Sequence, residues 1–224
     1  KVITNYPMKI NTRRLYDKRA PTYDLVHHLQ TLWADDNHRA NVVDSLNTRE
    51  NSVVLDVGTG TGLTAIMAAK KYSNSLIIGV DYSNKMLEKA KLKIKKESID
   101  DRIYLICADI TKLPFKSDSF DYIISAYGLG GVKSIDKAME EIKRIGKLNG
   151  KVVFAEMSET PNKYPIKRII HKHIVEPWIR FYWNFRDLDL IKLLERHKII
   201  VEYQKFFNNR ILGSTTLVKG EIIK

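Results

Sequence analysis

Two carboxylates, Asp81 and Asp109, each follow a short apolar run, and a glycine-rich turn, Gly58-Thr59-Gly60-Thr61-Gly62, follows a third run that contains Asp56. Glycines lack the side chain that keeps a ligand away from backbone, so the turn can lie close against one. A carboxylate at the position of Asp81 can accept two hydrogen bonds from a ribose diol. Asp109 can receive the exocyclic amine of an adenine ring, with Ile110 against the ring face. The chemistry suggested is recognition of an adenosine-containing ligand. Gly60, Gly62 and Ala65 also fit the dinucleotide fingerprint, with Asp81 at a suitable distance for the ribose. A nicotinamide oxidoreductase therefore stays open at this point, as does a tight strand-to-helix turn without a ligand.

Such residues need a scaffold that brings strand ends together. Val53, Val54, Leu55 and Val57 form a near-continuous apolar run, as in a parallel strand covered on both faces, and Leu63, Ile66, Met67 and Ala69 then recur at helical spacing. Strands are expected at Ser52–Val57, Leu76–Val80, Arg102–Cys107, Tyr122–Ala126, Gly150–Met157, Ile199–Phe206 and Ile211–Glu221. Helices are expected at Gly62–Tyr72, Asn84–Glu97, Ser134–Gly146 and Leu188–His197. This alternation predicts an α/β fold with a doubly wound, seven-stranded, mostly parallel sheet. Asn208-Asn209-Arg210 predicts a turn joining the last two strands as an antiparallel hairpin. The whole chain, 1–224, reads as one domain. Residues 1–50 form a cap that is helical after Thr22, with Tyr23, Val26, Leu29, Leu32 and Trp33 on its apolar face. Residues 158–186 form an insertion.

The chain has 224 residues, 44% of them hydrophobic and 29% charged, the balance of a soluble globule. No apolar run approaches the roughly 18 residues of a membrane span, and no signal-peptide core opens the chain, so a cytoplasmic protein is expected. The lone Cys107 reads as core filler, and the scattered histidines give no metal-ligand set. The net charge of +12 is partly diffuse: on Asn84–Glu97, Met86, Leu87, Ala90 and Ile94 mark one face and lysines the others.

The ordered motifs VLDVGTGTG, GVDYSNKMLEKAK and ADITKLPFKSDSFDYI resemble the class I S-adenosylmethionine-dependent methyltransferases over residues 50–157. The resemblance implies S-adenosyl-L-methionine as cofactor and disfavours the oxidoreductase. It implies that Asp56 fixes the loop, while Gly58, Gly60, Thr61 and Gly62 surround the methionine part. Asp81 would hold the ribose hydroxyls, Tyr82 would lie along the adenine, and Asp109 with Ile110 would select that base. Ala126 and Tyr127 would border the sulfonium and the acceptor. The sulfonium makes its own methyl electrophilic, so the protein mainly aligns the acceptor and excludes water.

The flanks, Tyr16-Asp17-x-x-Ala20-Pro21-x-Tyr23-Asp24 and Trp33, resemble the ubiquinone/menaquinone-type C-methyltransferases and their small-molecule and phospholipid-methylating relatives. Those quinone enzymes carry phenylalanine-glycine-leucine-arginine-asparagine after strand four. Here the sequence reads Tyr127-Gly128-Leu129-Gly130-Gly131, so the arginine tied to catalysis in that group has no counterpart.

In the insertion, Lys163, Lys167, Arg168, Lys172, Arg180 and Arg186 interleave with Tyr164, Trp178, Phe181, Tyr182, Trp183 and Phe185. That pattern suits an anionic membrane surface and a lipophilic acceptor. It also suits a nucleic-acid backbone with stacked bases, or a lid whose aromatics are core. The sequence lacks the Pro-Pro-aromatic loop of base methylation and a placed thiolate, which leaves nucleic acid the less favoured partner. The expected acceptor is a small or lipophilic molecule: a quinone precursor, a phenol, or an amine or phospholipid. An RNA methyltransferase and an inactive cofactor-binding partner subunit are the alternatives. Tyr23, Tyr127, His171 and His173 are the candidates for a general base, should the acceptor need to lose a proton.

Overall fold

The computed structural model describes residues 12–31, 33–48, 51–158, 165–184, 187–208 and 214–224. Its strands are β1 (Val53–Val57), β2 (Leu76–Asp81), β3 (Ile103–Cys107), β4 (Phe120–Ala126), β5 (Gly146–Ser158), β6 (Ile199–Asn208) and β7 (Ser214–Ile222). They form one sheet in the order β3-β2-β1-β4-β5-β7-β6. The first five in that order are parallel, and β7 runs antiparallel to both β5 and β6. The expected doubly wound, mostly parallel sheet with an antiparallel C-terminal pair is thus present. Its winding reverses between β1 and β4, the place where open α/β sheets bind ligands.

Helices α1 (Thr12–Arg19), α2 (Tyr23–Thr31) and α3 (Ala34–Asp44) precede β1, and α4 (Leu63–Lys71) and α5 (Asn84–Lys96) follow β1 and β2. Buried side chains of α3, α4 and α5 cover one face of the sheet. The other face packs on α6 (Ile135–Ile145) and α9 (Leu190–Arg196). On α5 the buried side chains are Met86, Leu87, Ala90 and Ile94, and the Ser83 hydroxyl caps the helix by accepting the Met86 N–H at 3.2 Å. On α6, Ile135, Ala138, Met139, Ile142 and Ile145 recur at the helical period and are buried. Val54 and Leu55 of β1 are buried, which accounts for the near-continuous apolar run.

Three expectations need correction. A helix, α1, forms before Thr22; its sequence TRRLYDKR has no apolar repeat and is held from outside, with Asp17 accepting the Ser83 hydroxyl at 2.6 Å and the Lys85 N–H at 3.3 Å. Strand β5 begins at Gly146 rather than Gly150, because Gly146 pairs with Phe120 before the register shifts to Lys151 opposite Tyr122. Cys107 is exposed rather than buried: β3 is an edge strand, and the thiol points toward the Tyr82 carbonyl at 3.7 Å.

The insertion folds as α7 (Pro165–Ile170), a π-helical turn (His171–Val175) and α8 (Glu176–Trp183). Leu32, Lys163, Tyr164, Phe185, Arg186, and Asn209 and Arg210 of the hairpin turn lie outside the described residues. No helix among the described residues is long and apolar enough to cross a membrane.

Candidate active site

The turn after β1 is built from beneath. Asp56 is buried, accepts the Thr59 hydroxyl at 2.7 Å and the Ala65 N–H, and has its carboxyl pushed up to about 7 by burial. It braces the turn and does not line the cavity above it. Gly58 has φ +67°, and a Cβ there would stand 2.7 Å from the Gly128 Cα. The loops after β1 and β4 therefore touch backbone to backbone at the switch point. Gly62 and Thr61 face elsewhere. A Cβ on Gly62 would meet Ala90 of α5 at 3.0 Å, and the Thr61 hydroxyl donates to Asp24 of α2 at 2.6 Å.

The Asp81 carboxylate, at the end of β2, accepts the Gly60 N–H at 2.9 Å and the Ser83 N–H at 2.8 Å. Burial pushes it up to about 6, against those amide bonds. Beyond β3, Asp109 accepts the Thr111 N–H and hydroxyl, both at 2.8 Å. Tyr82 is half exposed, with the Arg13 guanidinium 5.8 Å from its ring centre.

The roof comes from the N-terminal helices. Tyr16 donates its hydroxyl to the Trp183 carbonyl at 3.2 Å and stacks on the Trp183 ring, while Tyr23 meets that ring edge-on at 5.1 Å. Asp24 joins the Lys93 ammonium of α5 at 2.6 Å, fastening α2 to the cofactor-side turn through Thr61. Beneath this roof lies a cavity of about 570 Å³. Its lining includes Gly58, Gly60, Asp81, Tyr82, Asp109 and Ile110 from the strand ends, and Tyr16, Tyr23 and Tyr127 from the roof and the β4 loop. Asp56, Thr61, Gly62 and Ala126 do not line it. Nor does His171, which is buried 3.7 Å from Asp187; His173 is exposed on the same turn.

Sequence reasoning missed a buried polar network behind this wall. Tyr127 has φ +63°, and its hydroxyl shares hydrogen bonds with His38 Nδ1 and, at 3.2 Å, with Thr215. Burial raises the Tyr127 hydroxyl well above its ordinary value and lowers His38 to about 4, so both are neutral near pH 7. Asp35, fully buried, accepts His27 at 3.0 Å, His28 at 3.1 Å and the Thr31 hydroxyl at 2.6 Å. Burial opposes its charge, yet His27, Thr31 and Arg39 hold it well below the usual carboxylate range. His28, Asp35 and Asp36 bring three ligand-type atoms within 4.8 Å, but both Asp35 oxygens are already engaged by hydrogen bonds.

Glu156 of β5 was missed too. It is fully buried and accepts the Leu129 N–H at 2.7 Å, with further bonds from the Gly128 and Gly130 amides. Burial pushes it up to about 8. An acid within the apolar run Val152–Ala155 and its continuation, Glu156-Met157, was the available signal.

The residues present suit an adenosylated amino-acid cofactor: bare backbone at Gly58 and Gly60, a carboxylate at a strand end, and an aromatic face beside a second carboxylate. Sheet order and site together are those of a Rossmann-like S-adenosylmethionine-dependent methyltransferase. The chain belongs to the ubiE/COQ5 methyltransferase family, whose profile matches residues 8–172. It is similar to the demethylmenaquinone methyltransferase of Bacteroides fragilis, with 32% identity over 166 residues covering 73% of this chain and 67% of that protein. It is also similar to the ubiquinone/menaquinone biosynthesis C-methyltransferase of Geotalea daltonii, 33% identical over 73% of this chain and 70% of that one. In fold it is similar to the geranyl diphosphate C-methyltransferase of Streptomyces coelicolor, solved with S-adenosyl-L-homocysteine: TM-score 0.71, 13% identity, 84% of this chain and 77% of that one. The YcgJ protein of Bacillus subtilis shares it with TM-score 0.66 and 16% identity, over 84% of this chain and 99% of that one. The enzyme is thus a methyltransferase that uses S-adenosyl-L-methionine.

Proposed function

We propose that this enzyme methylates a lipophilic small molecule of the quinone-precursor type. The observation that carries this reading is the shared cavity, in which strand-end carboxylates and bare glycine backbone meet an aromatic roof of Tyr16, Tyr23 and Tyr127. The names of the Bacteroides and Geotalea relatives support the same acceptor class.

The cofactor supplies an electrophilic methyl. Gly58 and Gly60 would receive its amino-acid part, Asp81 the ribose hydroxyls, Tyr82 the adenine face, and Asp109 with Ile110 the adenine edge. Tyr16, Tyr23 and Tyr127 would flatten the acceptor against the methyl and keep water out. Burial pushes the Tyr23 hydroxyl up to about 12, so it keeps its proton near neutrality and serves as wall and donor, not as base. Tyr127 stays protonated for the same reason. His171 is set apart from the cavity, which removes the motive for assigning it a proton-transfer role. Where the quinone enzymes place an arginine, this chain has Gly130, whose amide, with those of Gly128 and Leu129, is held by Glu156 from below.

The RNA reading draws less support, because Trp183 of the insertion turns inward onto Tyr16 and Tyr23, and the exposed side of the insertion mixes Trp178 and Phe181 with Ile166, Ile169 and Ile174, which cannot stack on bases. An inactive partner subunit draws none, since the cavity carries a full set of cofactor-type groups. Transfer of labelled methyl to reduced demethylated quinones, to phospholipid vesicles and to bulk RNA tests the proposal. Label in a quinol ring supports it; label only in RNA or in phospholipid headgroups overturns it.

A further inference from the structure

The insertion is one continuous helical rod from Pro165 to Trp183, since the backbone stays helical on both sides of the π turn and the Glu176 N–H donates to the His171 carbonyl across it. The rod has two unlike faces. Inward, Trp183 is 6% exposed, donates its indole N–H to Gln30 of α2 at 2.7 Å and roofs the cavity through Tyr16 and Tyr23. Tyr182 packs beside it under the Arg19 guanidinium, 3.8 Å from the ring centre. Outward stand Ile166 (75% exposed), Ile169 (61%), Ile174 (65%), Trp178 (40%) and Phe181 (79%). The neighbouring α2 exposes Leu25 and Leu29 as well.

Such an apolar stripe needs an occupant. Charge and shape choose among the candidates. Between residues 163 and 186 the sequence carries six bases, Lys163, Lys167, Arg168, Lys172, Arg180 and Arg186, against the single acid Glu176, in a chain of net charge +12. A second copy would bring like charge to like charge. A nucleic acid would find mostly isoleucine, which has no ring to stack on a base. Outward aliphatic and aromatic side chains on a base-rich helix are what an anionic bilayer surface takes up, with the apolar side chains in the acyl boundary and the bases at the headgroups.

We propose that the outer face of the 165–183 rod docks on anionic phospholipid bilayers, so that the cavity under its inner face opens next to the lipid. The purpose of this docking, delivery of a membrane-dissolved acceptor, rests on the acceptor class proposed above; the docking itself does not. The test is flotation of the full chain with vesicles of phosphatidylcholine alone and of phosphatidylcholine mixed with phosphatidylglycerol. The chain should float with the mixed vesicles, less as salt is raised, and the triple variant Ile166→Ser, Ile174→Ser, Phe181→Ser should partition at least about tenfold more weakly. Melting temperature and cofactor affinity of the variant should match the parent, and brominated lipid should quench Trp178 fluorescence in the parent, read as the part lost in Trp178→Leu. Absence of flotation, equal binding to neutral vesicles, equal binding by the variant, or self-association that the variant abolishes would each overturn the proposal. Vesicle binding without methyl transfer to any lipophilic acceptor would overturn the acceptor class alone.

Discussion

Gly58 and Gly128, from the loops after β1 and β4, approach so closely that a Cβ on Gly58 would lie 2.7 Å from the Gly128 Cα. With φ +67° at Gly58, any side chain there is strained as well as obstructed. Gly58→Ala should weaken S-adenosylmethionine binding by about a hundredfold or more by displacing both loops. Calorimetric titration checks this; affinity within threefold or so of the parent would show that the contact is not needed.

Asp81 already holds the Gly60 and Ser83 amides, so it shapes the turn before any ribose arrives. Asp81→Asn, which keeps the size but loses the charge, should lower cofactor affinity by about tenfold, and Asp81→Ala by more. With its carboxyl pushed up to about 6, the parent's affinity should also fall as pH drops from 7 to 5, a dependence that Asp81→Asn flattens.

The Tyr127 hydroxyl reads as a structural group joined to His38 and Thr215 inside the core. Tyr127→Phe should cost about 1–3 kcal/mol of stability by leaving buried partners unmatched. Urea unfolding measures the loss. Turnover per folded molecule should stay within a few-fold of the parent; its abolition, with cofactor affinity intact, would restore Tyr127 as a proton-transfer residue.

Burial raises Asp56 to about 7 and Glu156 to about 8, above their unfolded values near 4. The stabilisation tied to their neutral forms is complete below those unfolded values and is lost as pH rises through 7 and 8. His27 and His38 act in the opposite sense, because burial lowers them and the fold then gains as pH rises toward 6.5. The clean window is therefore about pH 6.5 to 8, above the histidine gain and up to the raised carboxyls, where stability without cofactor should decline before levelling off. Glu156→Gln should reduce that slope, and unchanged urea midpoints across the window would refute the account.

The parallel part of the sheet was legible because each of β1 to β5 carries an apolar run with turn residues between, and α5 and α6 because their buried positions repeat at the helical period. Chemistry at strand ends was legible for a related reason: Gly58, Asp81 and Asp109 sit where apolar runs stop. Thr61 and Gly62 share the motif but face α2 and α5, since side-chain direction in a turn is set by what packs beside it. The His38–Tyr127 contact, the Glu156 brace and helix α1 depend on partners far along the chain, and spacing alone carries no sign of them. Cys107 was misread because an apolar strand looks alike at the edge and at the centre of a sheet.

The hydrogen bond from Tyr16 to the Trp183 carbonyl spans 167 residues of sequence, whereas the donor side of the site is assembled over shorter separations, Gly60 with Asp81 and Gly58 with Gly128. Contacts of short separation close early in folding and those of long separation late. During refolding this chain should gain the ability to hold its methyl donor before it gains the ability to use it, leaving a transient species that binds S-adenosylmethionine and turns nothing over.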